Sequence, residues 1–138
     1  MFDLKAVGRR FYDEVFNSGD IGALDDILAE DFVEHEEVPG FSPDKAGVTD
    51  FFSMMHQAFP DIHVEVEAMA VDGDQLLTHA VTRGTHRGEF MGIPATGRSV
   101  EVPLADRIRF RNGRAVEHWG VTDMMAMMEQ LGVIDPDD

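Results

Sequence analysis

A chain of 138 residues, 43% of them hydrophobic, has the length of one domain and enough apolar side chains for one core around one pocket. Its 27 acidic residues against 11 basic ones leave a formal net charge of −16, which repels nucleic acid, and the lack of cysteine excludes disulfides, thiolate metal sites and thiol nucleophiles. With no apolar run of about eighteen residues and a charged opening, MFDLKAVGRR, a cytoplasmic protein without membrane contact is expected.

Leu4, Val7, Phe11 and Val15 recur at helical spacing, Tyr12 and Phe16 broaden the stripe, and Asn17-Ser18-Gly19 stops it. Asp20 caps a short second helix through Leu28, FVEH at 32–35 is a brief extended segment, and EEVPGFSPD is a loop. A third helix runs from Pro43 or Asp44 to about Ala58, with Val48, Phe51, Phe52 and Met55 on its buried side. The period then changes. IHVEVEAMAV alternates, Asp72-Gly73-Asp74 turns, and QLLTHAVTRGTH is a second long strand. The loop GEFMGIPATGR leads to a third strand ending at Phe110, Asn112-Gly113 turns into a fourth from Arg114 to about Val121, and Asp123 caps a last helix, DMMAMMEQLG. No repeat or linker divides residues 1–138, which close with an acidic tail, 133–138. Helices followed by mostly antiparallel strands predict an α+β domain.

The charge suggests a halophilic, salt-in cytoplasm, where molar salt shortens screening to about 3 Å. The rarity of lysine, only Lys5 and Lys45, points the same way. Six histidines prompt a test for metal, but neither an HxH nor an HExxH pair occurs, and no metal is expected.

Four phrases, FVEH, AFPD at 58–61, GTHRGEFMGIPATGR at 84–98 and RFRNGRAVEHWGVTD followed by QLG, resemble the SnoaL-like proteins, the polyketide or ester cyclase branch of the NTF2-like fold. The resemblance covers nearly the whole chain. It implies a cone, a curved antiparallel sheet wrapped by helices around an apolar pocket, often dimeric through the outer sheet surface. It also implies chemistry without metal or cofactor: an acidic C–H flanked by carbonyls loses its proton, an enolate closes a ring by an aldol step, and an aspartate serves as acid and base. That aspartate commonly follows the tryptophan, where this chain has Gly120.

Hairpin geometry selects the side chains that could replace it. If Arg111-Asn112 form a type I turn with Gly113 as the left-handed bulge residue, Asp106 faces His118, Arg107 faces Glu117, and Leu104 faces Gly120. Leu104, Asp106, Ile108 and Phe110 then share a pocket face with Val116, His118 and Gly120, while Trp119 lies opposite beside an Arg107–Glu117 ion pair. A strict two-residue turn would instead pair Asp106 with Trp119.

Asp106 and His118 are therefore the expected acid/base pair, with His35 as a third catalytic candidate. Tyr12, Phe16, Phe52, Met55, Ile108, Trp119 and Asp123 are the expected ligand-binding residues, Asp123 doubling as helix cap. The methionines at 124, 125, 127 and 128 read as helix core or as a lid over a greasy ligand. Two readings stay open. One is a cofactor-free cyclase, isomerase or hydrolase of a mainly apolar carbonyl, ester or epoxide compound. The other is a non-catalytic carrier or sensor of a small hydrophobic or aromatic molecule. Either is expected to work as a homodimer.

Overall fold

The stripe Leu4–Val7–Phe11–Val15 forms one continuous helix in the computed structural model, which describes residues 3–134. Asp3 opens α1 (Leu4–Arg10) by accepting the Ala6 amide at 3.2 Å, and the helix widens into a π-helical segment, Phe11–Asn17, that buries Tyr12, Val15 and Phe16. After a 3-10 turn, Ile21–Ala23, α2 spans only Leu24–Ile27. The expected helix through Leu28 stops one residue early because Leu28 is already extended, at φ −93° and ψ 135°. β1 (Leu28–Glu34) thus starts four residues before the expected 32–35 segment. Asp44 caps α3 (Lys45–Ala58) through the Gly47 amide at 2.9 Å. β2 (His63–Asp72), β3 (Gln75–Thr85), β4 (Ser99–Arg111), β5 (Arg114–Thr122) and α4 (Met124–Leu131) follow where the alternation and turn residues put them. Of the acidic tail, only 133 and 134 lie within the described residues.

The five strands form one curved, open sheet in the order β1-β5-β4-β3-β2. Neighbours are antiparallel except β1, which runs parallel to β5, so the expected antiparallel sheet is mixed at one edge. Parallel pairing joins segments far apart in the chain and leaves no local turn signal. The architecture is α+β, with the core between the inner sheet face and the helices. Tyr12, Leu24, Phe59, Leu76 and Val102 are essentially inaccessible there, each burial contributing roughly 1.5–3 kcal/mol. Among the described residues no helix is long and apolar enough to cross a membrane.

Candidate active site

The hairpin between β4 and β5 decides which side chains enter the core. Asn112 and Gly113 both have positive φ, 53° and 79°, making a two-residue turn that matches the twist of its strands. Arg111 lies opposite Arg114 and Phe110 opposite Ala115, but the next pair is Arg109 with Glu117, so Val116 is an extra residue in β5. The turn alone would have turned His118 away from Asp106, and the bulge turns it back. The expected direct pairs are thereby corrected: Asp106 stands opposite Gly120, and Arg107 opposite Trp119. The expected Arg107–Glu117 ion pair does not form. Arg107 lies over the Trp119 ring at 3.9 Å, and Glu117 pairs with Arg109 at 3.1 Å. The expected sharing of the inner face by Asp106, Ile108 and His118 stands, with the first and last as diagonal neighbours.

On that face the polar side chains form one chain of hydrogen bonds. The Tyr12 hydroxyl donates to Asp106 Oδ2 at 2.7 Å, and His118 Nε2 donates to Asp106 Oδ1 at 2.7 Å. The other imidazole nitrogen, Nδ1, donates to Glu34 Oε2 at 2.5 Å. Both ring nitrogens face carboxylates, so the ring is an imidazolium. Burial alone would lower its pKa, but the hydrogen bonds and charges of Asp106 and Glu34 outweigh burial and push it up to about 10. Burial first, and then the charge of Asp106, raise the Tyr12 phenol well above its ordinary value.

Glu36 completes the group. Its Oε2 accepts from the Thr122 hydroxyl at 3.1 Å, while Oε1 has no hydrogen-bond partner among the described residues. Burial is the main cause of its raised pKa; the positive His118 opposes the rise, and Asp106 and Glu34 add to it. Ligand atoms of Glu36, Asp106 and His118 lie within 4.8 Å of one another, a spacing a divalent ion would fit. His118, however, has no lone pair to offer while both nitrogens donate, and its charge already occupies the place a cation would take.

The cluster forms part of the wall of an otherwise apolar cavity of about 290 Å³ between the sheet, α1, α3 and the 36–43 loop. Phe16, Phe52, Met55 and Ile108, the expected ligand-binding side chains of this region, line it together with Met124 and Met127 of α4. Tyr12 is behind the wall and reaches the site through its hydroxyl.

Three expected site residues lie elsewhere. His35 and Trp119 point to the outer sheet face, where their rings stack at 4.7 Å and His35 donates to Glu117 at 2.9 Å. Strand alternation is the reason: His35 follows Glu34, which faces inward beside His118. Asp123 accepts the Ala126 amide at 3.0 Å as the cap of α4 and is not part of the cavity wall. Conversely, Glu34 and Glu36 were missed. The signal for both was the apolar Phe32, since residues two and four positions beyond a core-facing residue in an extended segment share its face.

A family model described as SnoaL-like polyketide cyclase matches residues 6–131. No curated protein sequence matches the chain. Among solved structures, IdmH of Streptomyces antibioticus, a candidate polyketide cyclase, is 37% identical, with a TM-score of 0.81 over 95% of this chain and 99% of that one. AclR of Streptomyces galilaeus, a candidate hydroxylase, is 28% identical, with a TM-score of 0.84 over 96% of this chain and 82% of that one. TsrD of Streptomyces laurentii superimposes with a TM-score of 0.87 at 23% identity, over 97% of this chain and 100% of that one, which shows the shared fold. A match across nearly the whole chain, on a sheet that brings Asp106 and His118 to one cavity, establishes that the chain belongs to the SnoaL-like polyketide cyclases of the NTF2-like fold.

Proposed function

We propose that the protein is a cofactor-free enzyme that moves protons on a mainly apolar carbonyl or ester compound held in the cavity, and that Asp106 is its base. One observation carries this reading: a carboxylate, oriented by Tyr12 on one oxygen and by His118 on the other, stands at the wall of an apolar cavity. Each carboxylate oxygen can accept two hydrogen bonds, so both keep a free acceptor position, and Asp106 lines the cavity. A C–H beside a substrate carbonyl gives its proton to Asp106, and the electron pair moves into the new enolate. His118 remains protonated throughout and holds the base in place.

The far wall suggests the shape of the substrate. Thr82, which lines the cavity and is 7% exposed, has a hydroxyl without a partner among the described residues. It lies four residues along β3 from Thr78, the partner of Asp106, or roughly 13 Å at strand spacing. The length of wall between them suits an elongated or polycyclic compound. The proposal extends to a cytoplasmic homodimer.

A second reading, an apolar-ligand carrier, is favoured by the fact that both Asp106 oxygens already have donors. Exchange of the α-protons of 2-tetralone, a bicyclic ketone, in heavy water separates the two. An enzyme exchanges them, and Asp106→Asn slows exchange by roughly 100-fold or more with KM little changed. Binding without exchange identifies a carrier.

A further inference from the structure

Gly120 follows Trp119 on β5 and stands directly opposite Asp106. A Cβ placed on it would overlap Glu36 Oε1 and lie 2.8 Å from His118 Cε1 and 3.0 Å from Glu36 Cδ. Those separations are shorter than any ordinary carbon contact, and here φ is not the constraint. The absence of a side chain at 120 is therefore what seats the Glu36 carboxyl among Asp106, His118 and Thr122. We propose that Glu36 is the second catalytic residue of the site, the proton donor to the substrate oxygen, occupying the space that Gly120 leaves open.

The inference rests on Asp106 acting as base. Four features support the division of labour. Glu36 lines the cavity and its Oε1 has no hydrogen-bond partner among the described residues, whereas both Asp106 oxygens are engaged and Glu34 is bound to His118. The charged groups facing Glu36 are Asp106 from β4, His118 from β5 and Glu34 from β1, two negative and one positive. Burial is the largest influence and raises the Glu36 pKa, with His118 opposing the rise and Asp106 and Glu34 adding to it. Finally, Asp106 accepts from Tyr12 and His118 while Glu36 accepts only from Thr122, and two carboxyls in such contrasting surroundings can divide the roles of base and acid.

The cycle balances without another reactant. Asp106 takes the proton from carbon as Glu36 gives one to the carbonyl oxygen, leaving a neutral enol, a protonated Asp106 and an ionised Glu36. When the enol carbon attacks a second carbonyl of the same substrate, a C–C bond forms and the first carbonyl is restored. Its O–H proton returns to Glu36, and the new alkoxide takes the proton from Asp106. Both residues are reset, and the product is a ring bearing a hydroxyl.

Two readouts test the proposal on the full chain. The first is the infrared carbonyl band of a protonated carboxyl near neutral pH. It is expected in the unmodified protein and in an exposed-surface control, His63→Ala, and it should disappear in Glu36→Gln. The second is 2-tetralone exchange, which Glu36→Gln should slow roughly 100-fold with KM little changed, removing the loss of rate at high pH. Gly120→Ala, which leaves every carboxyl in the chain but displaces Glu36, should reproduce the kinetic defect. A band that is absent, or that survives Glu36→Gln, overturns the assignment. Exchange abolished by Asp106→Asn but untouched by Glu36→Gln overturns Glu36 alone. A protein that shows the band yet exchanges nothing overturns Asp106 as base and this proposal with it.

Discussion

His118 is the cation around which the site is assembled, and its charge has a measurable pH signature. Its pKa, raised from 6.5 to about 10, means that the folded protein binds the proton more tightly than the unfolded chain. The stability contributed by this pairing is therefore complete below about pH 6.5, declines as pH rises beyond that, and is gone above about pH 10. Nitrogen NMR of the ring at about pH 8 is expected to show both nitrogens protonated. The stability advantage of the parent protein over His118→Gln should shrink with rising pH in urea titrations. A neutral ring at that pH, or a constant difference, would contradict the ion-paired arrangement. Asp106, His118 and Tyr12 were legible from residue type, strand parity and helical spacing, but Glu34 as a partner was not, nor was the hydrogen bond that ties Tyr12 to Asp106. Tyr12 comes from a helix 94 positions away in sequence, and such a contact has no local signature.

At the scale of elements, the alternation along β1 and its extension separates two histidine environments. His35 belongs to the outer face, so His35→Ala should leave tetralone exchange within about twofold and reduce stability by only about 0.5 kcal/mol, the scale of one cross-strand pair. A large loss of exchange would return His35 to the site. The helices were readable because their apolar spacing and caps, such as Asp44 and Asp123, are local features. β1 is longer than the sequence suggests because Leu28-Ala29-Glu30-Asp31 does not alternate and its pairing with β5 is parallel and distant. The bulge at Val116 had no marker in the sequence either, since neither glycine nor proline accompanies it. Face assignments survived this because a turn one residue shorter than expected and a bulge one residue long cancel in parity.

For the whole molecule, charge and the outer sheet face lead to separate expectations. Arg10, Lys45, Arg83, Arg109 and Arg111 all pair with carboxylates, yet 27 acidic residues cannot be neutralised by 11 basic ones. Screening of that excess should raise the melting temperature substantially between low salt and molar KCl, and a salt-independent melting curve would remove the halophilic reading. On the outer face, Val33, Leu77 and Val121 are 41%, 42% and 73% exposed around the Trp119–Arg107 stack. Light scattering at micromolar concentration in high salt should give a dimer mass; a monomer mass would contradict assembly through this face.

In the proposed reaction the substrate's reacting oxygen and carbon lie at the inward cluster of Asp106, His118 and Glu36. A crystal structure with 2-naphthol, a stable aromatic counterpart of the tetralone enol, tests it most directly. The ring system is expected in the cavity among Phe16, Phe52 and Met55, with its hydroxyl within hydrogen-bonding distance of Glu36 or Asp106. A naphthol bound with its hydroxyl turned away from both carboxyls, or bound only on the outer face beside Trp119 and His35, would contradict it.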